Sequence, residues 1–152
     1  MKTSKVAYFL YQPYKWLVLI PFICVNTLFW AAVAIPVSIL INPKAGGKIA
    51  VAWARLNAFF TPMFLEIEGM ENIDKNTSYI IVPNHQSYYD ILLLYGWIGI
   101  DIKWVMKKEL RKVPALGIAC EKLGHIFLNR SNRDEAIKSL HSAKDKLVNG
   151  TS

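Results

Sequence analysis

Cysteine is scarce in this chain: Cys24 and Cys120 are its two copies among 152 residues. Two cysteines exclude a disulfide scaffold and a cysteine-only zinc site. Histidine is nearly as rare, with three copies, and no His or Cys cluster has the spacing of metal ligands, so no metal is expected. Eight glycines and seven prolines exclude collagen-like and low-complexity architectures. Charged residues reach only 19%, against 53% apolar ones, which excludes an intrinsically disordered chain. There is no G-x-S-x-G turn, no P-loop and no dinucleotide fingerprint, so no activated protein nucleophile or nucleotide-binding loop is in view. Acidic residues are in deficit, 11 against 18 basic ones, for a net charge of +7. That balance favours an anionic partner: lipid headgroups, a phosphate substrate or nucleic acid.

What is present begins with a long apolar run. No charged residue occurs from Trp16 to Pro43, and Lys15 and Lys44 bracket the stretch. A helix of this length reaches roughly 40 Å, enough to cross a bilayer. Pro21 and Pro36 each remove a backbone donor and are expected to kink or break it. A spanning helix, a kinked anchor in one leaflet and a cleaved signal peptide ending near Ala32-Val33-Ala34 all fit the run. The flanking charges do not fix an orientation: Lys2, Lys5 and Lys15 precede it, and Lys44, Lys48 and Arg55 follow. From Lys48 to Leu65, Ile49, Trp53, Leu56, Phe60 and Phe64 recur on one helical face. This helix either lies at a membrane interface or packs on the following domain, and Thr61-Pro62 should end it.

Beyond it, strands and helices alternate. Residues 64–68, 79–82, 102–106 and 125–129 read as strands. Helices are expected from Ser87 to Trp97, after Pro114, and from Asn132 to Asn149, the last with Asp134 and Glu135 in its first turn. The alternation implies an α/β fold with a mostly parallel sheet and flanking helices. The expected division is an N-terminal membrane-anchoring helical region at 1–63 and a catalytic region at 64–152.

The chemistry concentrates in Asn84-His85-Gln86-Ser87-Tyr88-Tyr89-Asp90, directly after the 79–82 run. A histidine after a parallel strand stands where α/β sheets hold ligands. Asp90, one helical turn into the next element, has the spacing to orient the His85 imidazole, whose other nitrogen can then take a proton from a hydroxyl. The spacing alone also fits a surface His and an unrelated helical Asp. Ser87 suits a helix cap better than a nucleophile. His125 and His141 have Arg130 and Lys146 five residues on, and read as structural or surface residues. Basic residues form two groups: Lys103, Lys107, Lys108, Arg111 and Lys112, which reads as a solvated face, and Arg130 with Arg133 at a strand-to-helix junction, suited to a phosphate. No nucleic-acid motif is present and the long apolar run argues against that partner. Asn-x-Ser/Thr triplets at Asn76, Asn129 and Asn149 carry no assigned role.

The block 84–90 resembles the first motif block of the glycerolipid acyltransferases, the 1-acyl-glycerol-3-phosphate acyltransferase group. Val105-Met106-Lys107-Lys108-Glu109-Leu110 with Val113-Pro114 and Gly117 resembles the stretch before the second block. Gly124-His125-Ile126-Phe127-Leu128-Asn129-Arg130 resembles the second block itself, where Asp is common at the position of Asn129. The apolar N-terminus is similar to the family's membrane anchors. The resemblance implies acyl transfer from acyl-CoA or acyl-carrier protein, as co-substrate and with no cofactor, to lysophosphatidic acid, giving phosphatidic acid in phospholipid biosynthesis. It implies His85 as base, Asp90 as its partner, Arg130 as phosphate clamp, and Lys108, Asn84 and Arg133 as further substrate contacts, at a membrane with the site on its cytoplasmic side. Glycerol 3-phosphate or another lysophospholipid is an alternative acceptor. The family's third block, a Phe-Pro-Glu-Gly-Thr-Arg-like pattern, does not occur here. The resemblance therefore implies an N-terminal portion with an incomplete acyltransferase fold, an unpaired sheet edge and little or no activity alone. A non-enzymatic membrane protein that binds lipid or a partner through the same fold is the competing reading.

Overall fold

The computed structural model describes residues 5–61, 63–144 and 150–152. The apolar run is helical almost throughout. Helix α1 (Lys5–Tyr14) passes through one wide π-type turn, Lys15–Leu19, into α2 (Ile20–Leu40). Pro21 sits at the start of α2 and Pro36 inside it. The widened turn lies where a regular helix would drive the Pro21 ring into the preceding carbonyls, so the helix continues through the proline rather than breaking at it. Taken together, Lys5–Leu40 is long and apolar enough to cross a membrane.

A sharp reversal follows. Asn42 adopts an extended conformation and its Oδ1 accepts the Ala45 N–H at 2.8 Å, while Pro43 supplies the first helical residue of α3 (Pro43–Phe60). The helix thus begins five residues before Lys48 and ends at Phe60, directly before the Thr61-Pro62 pair expected to bend or end it. Thr61 leaves helical geometry at ψ 124°, as a residue before proline must. α2 and α3 form an antiparallel hairpin. Phe22 stacks on Phe60 at 3.9 Å, the Trp53 indole donates to Thr27 Oγ1 at 3.0 Å, and Gly46 abuts Ser38. A methyl group at Gly46 would collide with the Ser38 hydroxyl, so glycine sets the closeness of the two helices there.

The core lies on the other side of α3. Ala50, Ala54 and Ala58 are buried with Leu92 and Tyr95 of α4 (Tyr89–Trp97), together with Ile102 and Leu123. Three alanines on one helical stripe let α4 approach closely. Strand β1 (Val105–Lys107) pairs in parallel with β2 (Ile126–Leu128), Val105 opposite Ile126. A 3₁₀ turn, Lys108–Lys112, and α5 (Leu116–Lys122) make the crossover. Gly124, at φ +83°, closes α5: its N–H bonds to Glu121 O and that of His125 to Cys120 O. This left-handed cap turns the chain into β2. Helix α6 (Arg133–Lys144) follows.

Two of the four expected strands are seen. Residues 64–68 and 79–82 carry no regular secondary structure and make no ladder among the described residues. Ile80 and Val82 are 96% and 87% exposed. An apolar run can only become a strand where a neighbour takes its backbone hydrogen bonds, and here the bonds to the 150–152 segment run through side chains: Ser152 Oγ accepts the Tyr79 N–H at 3.0 Å, and Ser78 Oγ accepts the Gly150 N–H at 3.2 Å. Thr151 makes an isolated parallel bridge with Asp101. The strand expected at 102–106 is shorter and shifted, at 105–107, and that at 125–129 narrows to 126–128. The last helix is seen to Lys144; residues 145–149 of the expected range lie outside the described residues. Its Ile137 and Leu140 stay largely exposed.

Candidate active site

The turn before α4 builds the site. His85 Nδ1 lies 3.0 Å from Asp90 Oδ2. The same oxygen accepts the backbone N–H of Gln86 at 2.7 Å and of Ser87 at 2.8 Å. Asp90 stands in the first turn of α4, where free amides and the helix field favour negative charge. The Ser87 amide above all, then that of Gln86 and the His85 ring, hold the Asp90 carboxyl below the usual carboxylate range. An ionised carboxylate only accepts hydrogen bonds, so His85 Nδ1 carries the proton and Nε2 presents its lone pair. The His85 side chain is half exposed, leaving Nε2 reachable. Ser87 stands one residue ahead of the N-cap position, Tyr88, and its Oγ accepts the Tyr89 N–H at 3.2 Å. Asn84 immediately precedes the dyad and is exposed.

The basic residues gather at the ends of the two strands. Lys108 directly follows β1, and its Nζ lies 3.7 Å from Glu135 Oε2. Arg130 is exposed in the turn after β2, and Arg133 is the exposed first residue of α6. Asn132 organises this turn. Its Oδ1 accepts the N–H groups of Asp134 and Glu135, each at 3.1 Å. Glu135 Oε2 takes a bond from Asn129 Nδ2 at 2.8 Å. The Asn129 bond first, then Lys108, lower the pKa of Glu135. Glu135 is thus the residue that sequence reading undervalued. Its Asn-x-x-Glu spacing after Asn132 is a capping-box pattern, but the pairing with Lys108 depends on β1 and β2 lying side by side. Among the described residues, no hydrogen bond or ion pair links His85 and Asp90 to Lys108, Arg130 or Arg133.

His125 is structural. It is buried, its Nδ1 accepts the Trp104 N–H at 3.2 Å, and its ring meets Tyr95 edge-on. Burial first, and Lys103 second, push its pKa down to about 3. Cys120 is buried nearby, its thiol pushed up to about 11 by burial, and Cys24 is a free, exposed thiol on α2. No group of three or more His, Cys, Asp or Glu side chains among the described residues is placed to hold a metal.

The family model for acyltransferases matches residues 64–152. A 1-acyl-sn-glycerol-3-phosphate acyltransferase of Helicobacter pylori is 32% identical over 91 residues, covering 60% of this chain and 38% of that protein. Its namesake in Saccharomyces cerevisiae is 32% identical over 67% of this chain and 35% of its own length. The alpha enzyme of Mus musculus is 26% identical over 80% of this chain and 43% of its own length. The chain therefore spans less than half of each of these relatives. No solved structure matches. On the family model, which takes in the His85–Asp90 turn and both strands, this chain belongs to the acyltransferase family, and relatives that match it are named for acyl transfer to 1-acyl-sn-glycerol 3-phosphate.

Proposed function

We propose that this chain carries the base-bearing part of a membrane-associated 1-acylglycerol-3-phosphate acyltransferase. The observation that carries the reading is the His85 Nδ1–Asp90 Oδ2 bond at 3.0 Å, which leaves Nε2 free to act as a base. In this reading the free hydroxyl of lysophosphatidic acid gives its proton to His85 Nε2, and its oxygen attacks the thioester carbonyl of acyl-CoA or acyl-carrier protein. The tetrahedral intermediate collapses, the C–S bond breaks, and the departing sulfur takes the proton back from Nε2. One ester and one thiol result. Asp90 holds the ring and offsets the charge of the imidazolium. Arg130 receives the acceptor phosphate, with Lys108, Asn84 and Arg133 as further contacts.

The parallel β1–β2 pair and the Asp101–Thr151 bridge support reading 64–152 as part of a mostly parallel sheet with flanking helices. The long apolar helix supports placing this site at a membrane, on its cytoplasmic face, where both lipids are found. The test is acyl transfer from acyl-CoA to lysophosphatidic acid in vesicles, comparing the unaltered protein with His85→Ala and Arg130→Ala. The expected result is a loss of about 10²–10⁴-fold for His85→Ala and a rise in KM for the acceptor with Arg130→Ala. Full activity in His85→Ala would sink the reading. Absence of transfer by the unaltered 152 residues would match the little or no activity that the resemblance implies for this portion alone, and the same pair would then be compared in a C-terminally extended chain.

A further inference from the structure

Two concavities meet on the face between α3 and α4. One is an apolar groove of about 740 Å³ whose walls include Trp30, Leu56, Phe59 and Trp97. The other is a cleft of about 190 Å³ lined by Lys44, Lys48 and Tyr95, with Asp101 at one side. Arg55 lines both. An apolar trough continuous with a basic cleft has the polarity of a phospholipid.

The cleft's charges are arranged on one stripe. Lys44, Lys48, Val51 and Arg55 follow one another at steps of four, three and four along α3, which keeps them on a single helical face. Asp101 does not neutralise them, because Lys103 already holds it at 2.8 Å in a nearly buried pair. Among the described residues no ion pair engages Lys44, Lys48 or Arg55. Arg55 is pre-set: its Nε donates to Gly96 O at 2.8 Å and its guanidinium lies 5.8 Å from the centre of the Trp97 ring, leaving its terminal nitrogens for a ligand. Tyr95 adds a polar group to the cleft wall. It is 6% exposed, it lines the cleft, and its hydroxyl has no hydrogen-bond partner. A buried donor left unpaired is costly, and a ligand oxygen would relieve it. The volume equals that of about six waters, room for a phosphate group.

The geometry points to a resident anionic phospholipid on this face, its phosphate in the Lys44–Lys48–Arg55–Tyr95 cleft and an acyl chain in the groove beside it. The site lies at the C-terminal end of α4 and shares no residue with the acceptor contacts proposed above, so this lipid is read as an anchor and not as the acceptor. The inference rests on the membrane association proposed above, and not on the catalytic reading.

The test is flotation of the protein with vesicles of phosphatidylcholine, alone or with phosphatidylglycerol added. Phosphatidylglycerol should strengthen binding. Lys44→Gln with Lys48→Gln should remove that gain by about 30-fold, the effect of two surface charges. Lys112→Gln with Lys122→Gln, equal in charge but off the cleft, should change it less than three-fold. Tyr95→Phe leaves the net charge intact and should still weaken the gain. Binding to both vesicle types that is equal, or equally sensitive to the two lysine pairs, would overturn the site while leaving membrane association standing. An unaltered gain in Tyr95→Phe would also overturn it. Displacement by soluble glycerol phosphate would assign the cleft to a free phosphate ester instead. Failure to float with either vesicle would overturn membrane association and the site together.

Discussion

The turn at 84–90 and the pocket around His125 each hold a histidine by Nδ1, with opposite polarity. His85 Nδ1 faces a carboxylate oxygen at 3.0 Å, so it carries the proton and Nε2 is the basic nitrogen. His125 Nδ1 accepts the Trp104 N–H at 3.2 Å, so its proton sits on Nε2. One side chain is half exposed beside an anion. The other is buried beside Tyr95, with Lys103 near enough to disfavour its charged form. The difference shows that a histidine's work is set by the partner of one nitrogen and the access to the other. It also shows why the second motif block can contain a histidine that does no chemistry.

The comparison can be broken most forcefully at Asp90. In the proposed reaction, Asp90→Asn should lower acyl transfer by on the order of 10²–10⁴-fold, because an amide no longer enforces the Nδ1–H tautomer. Steady-state rates check this, and a fall in kcat with little change in KM is the expected form. Acid should separate the two regions next. His125 is depressed to about 3 in the folded protein, against about 6.5 unfolded. Below about 6.5 the unfolded chain takes a proton that the folded one refuses, so stability declines as pH falls toward that folded value. Between pH 6.5 and 5 this amounts to about 2 kcal/mol, read from denaturant midpoints in detergent, and His125→Gln should flatten the slope. Asp90 contributes in the same direction lower down: its stabilisation is full above the unfolded carboxylate value and is lost as pH falls through its depressed folded one. A smaller effect is expected from Gly124→Ala. The residue sits at φ +83°, and a Cβ there would meet only ordinary van der Waals contacts, the nearest Lys103 Cε at 3.7 Å, so the cost is backbone strain alone, about 1 kcal/mol, and it should fall on the His125 side without altering acyl transfer per folded molecule. Smallest is Ser87→Ala, which removes the acceptor of the Tyr89 N–H and should cost about 0.5 kcal/mol of thermal stability.

Much of this contrast was legible in the residues. Asp90 five positions after His85, and Ser87 ahead of a helix, carry local information, and local hydrogen bonds realise it. The helices at 89–97, 116–122 and 133–144 follow from periodicity and caps in the same way. Other features depend on partners distant in sequence. Residues 43–47 at the start of α3 lack the bulky periodicity that marks the helix from Lys48 onward; there Gly46 is buried against Ser38 of α2, and Gly47 faces Asp101 and Tyr95. The runs 64–68 and 79–82 have strand composition, but composition does not supply a pairing neighbour. Glu135 reads as a helix-dipole residue, and only the parallel register of β1 and β2 makes it the counter-ion of Lys108. The Lys44–Lys48–Arg55 stripe was visible as scattered charge. Its meeting with Tyr95 required α4 to pack on the alanine face of α3.

The most direct measurement sets His85→Ala beside His125→Ala, recording acyl transfer per folded molecule and the melting temperature of each in the same detergent. The predicted result is a crossed pattern. His85→Ala loses at least about 10²-fold in rate and keeps its melting temperature, while His125→Ala melts earlier and keeps its rate per folded molecule. A His125 variant that folds normally yet loses transfer, or a His85 variant that retains it, would contradict the assignment of the two histidines.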